Sequence, residues 1–359
     1  MLTDRPARGA ARVLPCLVLA LVSGCGTTYL MQAGGGELQV LDARRPIDEV
    51  IADPDTSPGL SARLTTVRAA REFASSELHL PDNKSYTTYA DIHRPYVVWN
   101  VVAAPEFSVE PKRWCFPVAG CVAYRGYFSE QHARQFAFAL EQQGDDVVVE
   151  GVPAYSTLGK FADPVLSSMM QYDDDELAAT IFHELAHQLI YVPGDSEFNE
   201  AFAVTVEDAG LERWLVHQGN PERIRRYRDS AAQGQQYIAL LSTARARLAH
   251  LYGSEVPVEE MRAGKAQILA ALAVDMRALE VRQRSRYPVY DEWLAGGLNN
   301  AMLAAIATYY ECVPGFKRLL AANDNDLERF YAAVRVLAQR PRAERHAQLC
   351  SASPRAPGD

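Results

Sequence analysis

The residues with the clearest chemical purpose are His183, Glu184 and His187, in the run His183-Glu184-Leu185-Ala186-His187. In a helix, at about 100° per residue, the two histidines share one face roughly one turn apart. Two imidazoles so placed can hold one zinc ion and leave further tetrahedral positions open. Glu184 falls about 100° round from His183. It stands beside such an ion without aiming at it, where a carboxylate can take a proton from an activated water. A catalytic zinc site needs a third protein ligand. Glu200 is the candidate, 13 residues after His187 and beyond the Pro193-Gly194 turn, among Phe198, Phe202, Ala203 and Val206. That makes one Zn2+ per chain. The competing reading is a pair of core histidines satisfied by hydrogen bonds, with Glu200 on a solvated face.

These residues need a rigid frame, and the surrounding pattern supplies one. Asp173-Asp174-Asp175 can cap a helix and complement its dipole, and Pro193 ends it. Its remaining positions are largely apolar (Ala178, Ile181, Phe182, Leu185, Leu189). A helix apolar nearly all round is a buried one, and buried ionisable groups need partners. The chain is helical from 173 almost to its end, with helices expected over 176–191, 197–217, 235–252, 258–283, 291–310 and 324–338. Before that the texture is mixed. A helix is expected over 60–79 and another over 130–143, with short strands over 96–102, 118–127 and 147–152. The fold class is therefore α+β: a small mixed β region, 37–172, then a mostly helical part, 173–350, opened by the helix with the histidines. Both belong to one domain, 37–350. No internal repeat is visible.

The first residues read as an address. Arg5, Arg8 and Arg12 precede an apolar run over 13–22 and then Ser23-Gly24-Cys25. This is a secretory signal, too short to stay in a bilayer as a spanning helix. Its end resembles a bacterial lipobox, in which Cys25 is lipidated and becomes the first mature residue; a plain signal peptide is the alternative. Residues 1–24 hold three Arg and one Asp, so their removal takes the net charge from −9 to −11. Such an acidic chain is not built to bind nucleic acid. The lipid would hold the protein in the bacterial envelope, at the outer membrane facing the periplasm. Residues 25–36, rich in small side chains, are expected as a tether, and 351–359 as a disordered tail. Export also bears on Cys115, Cys121, Cys312 and Cys350. Neighbours along the chain suggest pairs 115–121 and 312–350, with two other connectivities and free thiols left open.

Taken together, the histidine motif and Asn199-Glu200-Ala201-Phe202-Ala203 resemble the glutamate-zincin peptidases, including thermolysin and aminopeptidase N. The lipobox, Val152-Pro153-Ala154-Tyr155-Ser156-Thr157-Leu158-Gly159 and Leu298-Asn299-Asn300-Ala301 extend the likeness to the bacterial family of predicted aminopeptidase lipoproteins. The resemblance implies a zincin-like fold and hydrolysis of peptide substrates. It implies zinc ligands at His183, His187 and Glu200, with Glu184 as general base and acid. There are departures. The interval from His187 to Glu200 is shorter than in the better-known relatives, and Val204 stands where thermolysin has an acid four residues after the third ligand. Glu207, two turns after Glu200, could orient a ligand instead. No G-x-M-E-N motif is present to anchor a substrate amine, so an endopeptidase of the same mechanism stays open, as does a non-catalytic envelope scaffold or chaperone with a zinc site. Glu150, at the end of an expected strand, is a weaker candidate for an amine contact. Tyr309 and Tyr155 are candidate donors to a developing oxyanion, and Asn299 and Asn300 read as buried mid-helix amides.

Overall fold

A computed structural model describes residues 26–116, 119–283 and 293–350. The signal segment, Cys25 and the tail 351–359 lie outside the described residues. The architecture is mixed α+β, with strands in the N-terminal half and helices dominating the rest. In order come α1 (Gly26–Asp42), β1 (Arg44–Pro46), α2 (Ile47–Ala52), α3 (Pro58–Ser76), β2 (Thr88–Ala90), β3 (Val98–Pro105), β4 (Trp114–Phe116), β5 (Gly120–Val122) and β6 (Arg125–Tyr127). Then follow α4 (Glu130–Glu141), β7 (Asp145–Val152), β8 (Val165–Leu166), α5 (Asp174–Leu189), α6 (Ser196–His217), α7 (Pro221–Tyr252) and α8 (Val258–Gln283). The last are α9 (Asn300–Tyr310), α10 (Val313–Ala322), α11 (Leu327–Ala338) and α12 (Arg342–Leu349).

The strands make three small sheets, ordered β1-β2-β8, β6-β3-β7 and β4-β5. The long antiparallel pair is β3 with β7, in register from Val98 opposite Val152 to Pro105 opposite Asp145. Alternation divides its side chains between two faces. Trp99, Val101 and Ala103, with Val147 and Val149, pack on Ala133, Ala137 and Leu140 of α4. On the other face Val102 and Val148 meet Ala301 and Ala305 of α9.

Several expectations change. Val118 lies outside the described residues, and 119–127 are not one strand: β5 pairs with β4, whereas β6 pairs with β3. The Cys115–Cys121 disulfide closes the β4–β5 hairpin. Gly120 there holds a positive φ of 75°, and a Cβ on it would lie 2.4 Å from the Gly194 nitrogen, so only glycine lets the hairpin touch the turn before α6. Helix α7 begins at Pro221, not 235, because Asn220 caps it by accepting from the amides of Glu222 and Arg223. Its buried stripe starts only at Tyr237, which is why the polar first half carries no periodic signal. Asn299 is not inside a helix but caps α9, accepting from the Met302 amide. Its own amide donates to the Val147 carbonyl, and Asn300 donates to Pro105 and Glu106, tying α9 to the ends of β3 and β7. Residues 26–36, expected as a tether, are the first part of α1. Helices α10 and α12 were not foreseen. The Cys312–Cys350 disulfide joins the residue before α10 to the residue after α12.

The main core lies among α3, α5, α6, α10 and α11, around Phe182, Phe198, Phe202, Phe316 and Phe330. A second core, with Tyr237, Leu241, Leu272 and Met276, holds α7 to α8. Among the described residues no helix is long and apolar enough to cross a membrane.

Candidate metal centre and substrate cavity

Helix α5 starts from a capping box: the Asp173 carboxylate accepts from the amides of Asp175 and Glu176, and Glu176 accepts from the Asp173 amide. It ends at Leu189, where Ile190 turns extended. The turn into α6 is held by Asn199, whose side chain accepts from the Val192 amide and donates to the Val192 carbonyl, both at 2.8 Å. That clamp, one residue before Glu200, fixes the first turn of α6. Helix α6 is buried on every side through its first three turns. Gly210 gives it close passage, since a Cβ there would meet Leu78 at 2.8 Å and Phe182 at 3.0 Å.

The result is a triangle of donor atoms. His183 Nε2 and His187 Nε2 lie 3.1 Å apart. Glu200 Oε2 is 3.4 Å from the first and 3.5 Å from the second. Tetrahedral zinc with ligands at about 2.0–2.1 Å sets neighbouring donors roughly 3.3–3.4 Å apart, so the two imidazoles and the carboxylate fit such an ion. On its other nitrogen, Nδ1, His183 meets Glu207 Oε2 at 2.9 Å, the kind of contact that fixes the orientation of a ligating histidine. His187 Nδ1 is buried with no partner among the described residues.

Charge follows from this crowding. Burial opposes ionisation of Glu200, but the charge of His187 and hydrogen bonds from both imidazoles hold its carboxyl down at about 2. Burial likewise works against a charged His183, yet Glu200 and Glu207 raise its pKa well above the ordinary histidine value. Glu184 goes the other way: burial lifts its carboxyl, only partly offset by His183 and His187. Two carboxylates from successive helices, lining one cavity, are therefore driven in opposite directions, one held ionised and one made more basic.

Glu184, His183, His187 and Glu200 line one cavity of ≈ 380 Å³, and both candidate tyrosines, Tyr309 and Tyr155, line it too. Glu200's charge and then burial raise the Tyr309 hydroxyl well above the usual tyrosine range, so it remains a proton donor. Tyr155 differs from expectation. Its hydroxyl already donates to Glu37 of α1, so its proton is committed elsewhere. Glu207 stands behind His183, outside the cavity wall. The Cys115–Cys121 hairpin contributes Phe116, Ala119 and Val122 to that wall, and the Cys312–Cys350 bridge does not reach it. Glu150 is half-buried and hydrogen-bonded to Trp293, and is not among the lining residues.

Several site residues went unread in the sequence. Tyr124, Tyr191, Asn100 and Glu37 all line the cavity. Only Tyr191 offered a signal, since it lies four residues after His187; its hydroxyl donates to the Ala119 carbonyl at 3.2 Å. Asp163 was also missed. Its buried carboxylate accepts from the Thr157 amide and hydroxyl, from the Ser156 hydroxyl and from Gln188, which follows His187. It therefore joins the loop at 155–160 to the histidine helix. In that loop Leu158 lines the cavity at a φ of 57°, a left-handed conformation costing an L-residue roughly 1–2 kcal/mol.

No curated protein and no solved structure matches the chain. A family model described as "Putative aminopeptidase" matches residues 28–349, from the first turn of α1 to the end of α12, with the whole cavity between. The chain belongs to that putative aminopeptidase family.

Proposed function

We propose that the protein is a zinc-dependent peptidase that acts on peptides with a free amino terminus and is anchored to the bacterial envelope through a lipid on Cys25. The observation that carries the zinc reading is the triangle of His183 Nε2, His187 Nε2 and Glu200 Oε2, with sides of 3.1, 3.4 and 3.5 Å. These three atoms would hold the ion. When bound, zinc supplies Lewis acidity toward a carbonyl and makes a nearby water easier to deprotonate.

The chain's own groups do the rest. Glu184, its basicity raised by burial, takes a proton from the attacking water and passes it to the departing amine. Tyr309 donates a hydrogen bond where negative charge develops on the carbonyl oxygen. Glu207 holds the His183 ring in one orientation. A scaffold with a purely structural ion has no use for a basic carboxylate in an open cavity. The membrane reading rests on the sequence around Cys25. Helix α1 begins at Gly26, so a lipid on Cys25 would join directly to a helix of the cavity wall.

Hydrolysis of a matched pair of peptides, one with a free amine and one N-acetylated, tests the activity. Cleavage of the free peptide alone, abolished by a chelator and restored by zinc, is the expected result. Cleavage of both makes the protein an endopeptidase. Cleavage of neither by zinc-loaded protein across a varied peptide library contradicts the peptidase reading. Fatty-acid labelling of the full chain, lost in Cys25→Ser, tests the anchor.

A further inference from the structure

One face of α1 runs along the cavity opposite to any role a tether would have. Tyr29, Ala33 and Glu37, spaced four apart and so on one helical face, all line the cavity that contains His183, Glu184, His187 and Glu200. Close docking of α1 depends on Gly36, which packs on the Phe128 ring where a Cβ would come within 2.1 Å. Gln32 adds a hydrogen bond, its side-chain oxygen accepting from the Phe128 amide at 3.1 Å.

Glu37 is the charged group this packing delivers. One carboxylate oxygen, Oε2, accepts the hydroxyl of Tyr155. The other, Oε1, has no hydrogen-bond partner among the described residues and is closed off from solvent, so the side chain must turn slightly to present it to a ligand in the cavity. The neighbouring guanidiniums spend hydrogen bonds on backbone carbonyls, Arg44 on Leu41 and Ala162 and Arg94 on Phe128 and Val97, so Arg44 offers Glu37 its charge at a distance and no hydrogen bond. A buried carboxylate oxygen left without a partner is costly. A primary ammonium, with its charge and three N–H donors, is the group that satisfies it best.

Resting on the peptidase reading above, we propose that Glu37 is the specificity residue that receives the free α-ammonium of the substrate, with Tyr155 positioning its carboxylate. The first side chain of the peptide then lies against the apolar wall of Val98, Phe116, Val122, Phe128 and Val152. The substrate class is a short peptide with a free amino terminus and an apolar first residue. A cavity of ≈ 380 Å³ is near the lower end of ligand-pocket sizes, which suits one or two residues and not a folded chain. N-acetylation removes both the charge and two of the donors, so such peptides lose this contact. Glu150, the other glutamate with a buried, unpartnered oxygen, does not line the cavity.

The test uses the full chain with Glu37→Gln, which keeps the shape and the Tyr155 contact but removes the charge. KM for a free-amine leucyl peptide is expected to rise at least tenfold with kcat within about twofold. Binding of leucinamide, followed by calorimetry, is expected to weaken by a similar factor, while N-acetyl-leucinamide binding is unchanged. Tyr155→Phe should move KM in the same direction by about threefold to fivefold, and it serves if Glu37→Gln fails to fold. Unchanged KM and leucinamide affinity in both variants would overturn the assignment. So would an equal loss for the free and acetylated compounds, or Glu150→Gln producing the split instead. Wild-type cleavage with no effect of Glu37→Gln removes the amine site and leaves the peptidase standing. If wild-type protein cleaves nothing, the peptidase reading fails, and leucinamide binding still decides whether the amine site exists.

Discussion

Burial raises the carboxyl of Glu184 and works the same way on Glu200, but hydrogen bonds from His183 and His187 reach only Glu200 and hold it ionised. Glu184→Gln should leave the three proposed ligands intact. Zinc content is expected to stay at the wild-type level while kcat falls about 10²–10⁴-fold; wild-type turnover in this variant would remove Glu184 from the mechanism. Glu207 Oε2 meets His183 Nδ1 at 2.9 Å, and the proposal gives it the work of orienting that ring. Glu207→Gln should weaken zinc about 10–100-fold in a chelator competition, with folding intact; unchanged affinity would make Glu207 a bystander. At this scale the histidine pair and Glu184 were legible, because four residues is one helical turn wherever the helix lies. Glu200 was legible only through its apolar neighbours and the turn before it. Glu37 and Tyr124 are not legible, because distant elements bring them to the cavity, and neither is Asp163, which ties the loop at 155–160 to Gln188; no local spacing encodes those meetings. Tyr155 lines the cavity with its hydroxyl donating to Glu37.

At the scale of elements, the wall facing the triangle is made by segments with weak local preferences. Gly34-Gly35-Gly36 opposes helix formation by about 1 kcal/mol per glycine. The contacts of Tyr29, Gln32 and Glu37 with the body outweigh it. Gly36→Ala should push α1 off Phe128, at a cost of about 1–3 kcal/mol by urea unfolding, and raise KM for a free-amine peptide. Full stability with an unchanged KM would mean that α1 does not dock as described. The same tertiary override explains why local composition suggests a tether over 26–36 and one strand over 118–127. Helices α3, α5, α6 and α8 were legible from apolar periodicity and caps. The start of α7 and the whole of α12 were not. The first half of α7 is polar, and α12 buries only Arg345 and Leu349.

For the molecule as a whole, a charge cluster ties the C-terminal helix to the start of α6. Asp195, 1% exposed, accepts from Arg345 Nη2 at 2.7 Å and meets His346 Nε2 at 2.7 Å. Arg342 and Arg113 hold Glu197 beside it. Burial opposes the Asp195 charge, but His346 and Arg345 bring its pKa below the usual carboxylate value. A folded pKa below the unfolded one stabilises at pH above about 4 and loses that contribution as pH falls through the folded value. Asp195→Asn should therefore cost about 3–5 kcal/mol near neutrality, and the gap to wild type should shrink below about pH 4. An unchanged gap at low pH would show that Asp195 carries no linked stability. None of this network was legible beforehand, because 150 residues separate Asp195 from Arg345. The broad division into a mixed first part and a helical second part was legible, since it follows from composition and period alone.

Helices α5 and α6 bring together the three donor atoms proposed to hold one zinc ion. Zinc per chain, measured by elemental analysis on folded protein reconstituted with the metal, tests that proposal most directly. About one ion per chain, lost in Glu200→Ala while the fold is kept, is the expected result. Folded wild-type protein that takes up no zinc would contradict the account.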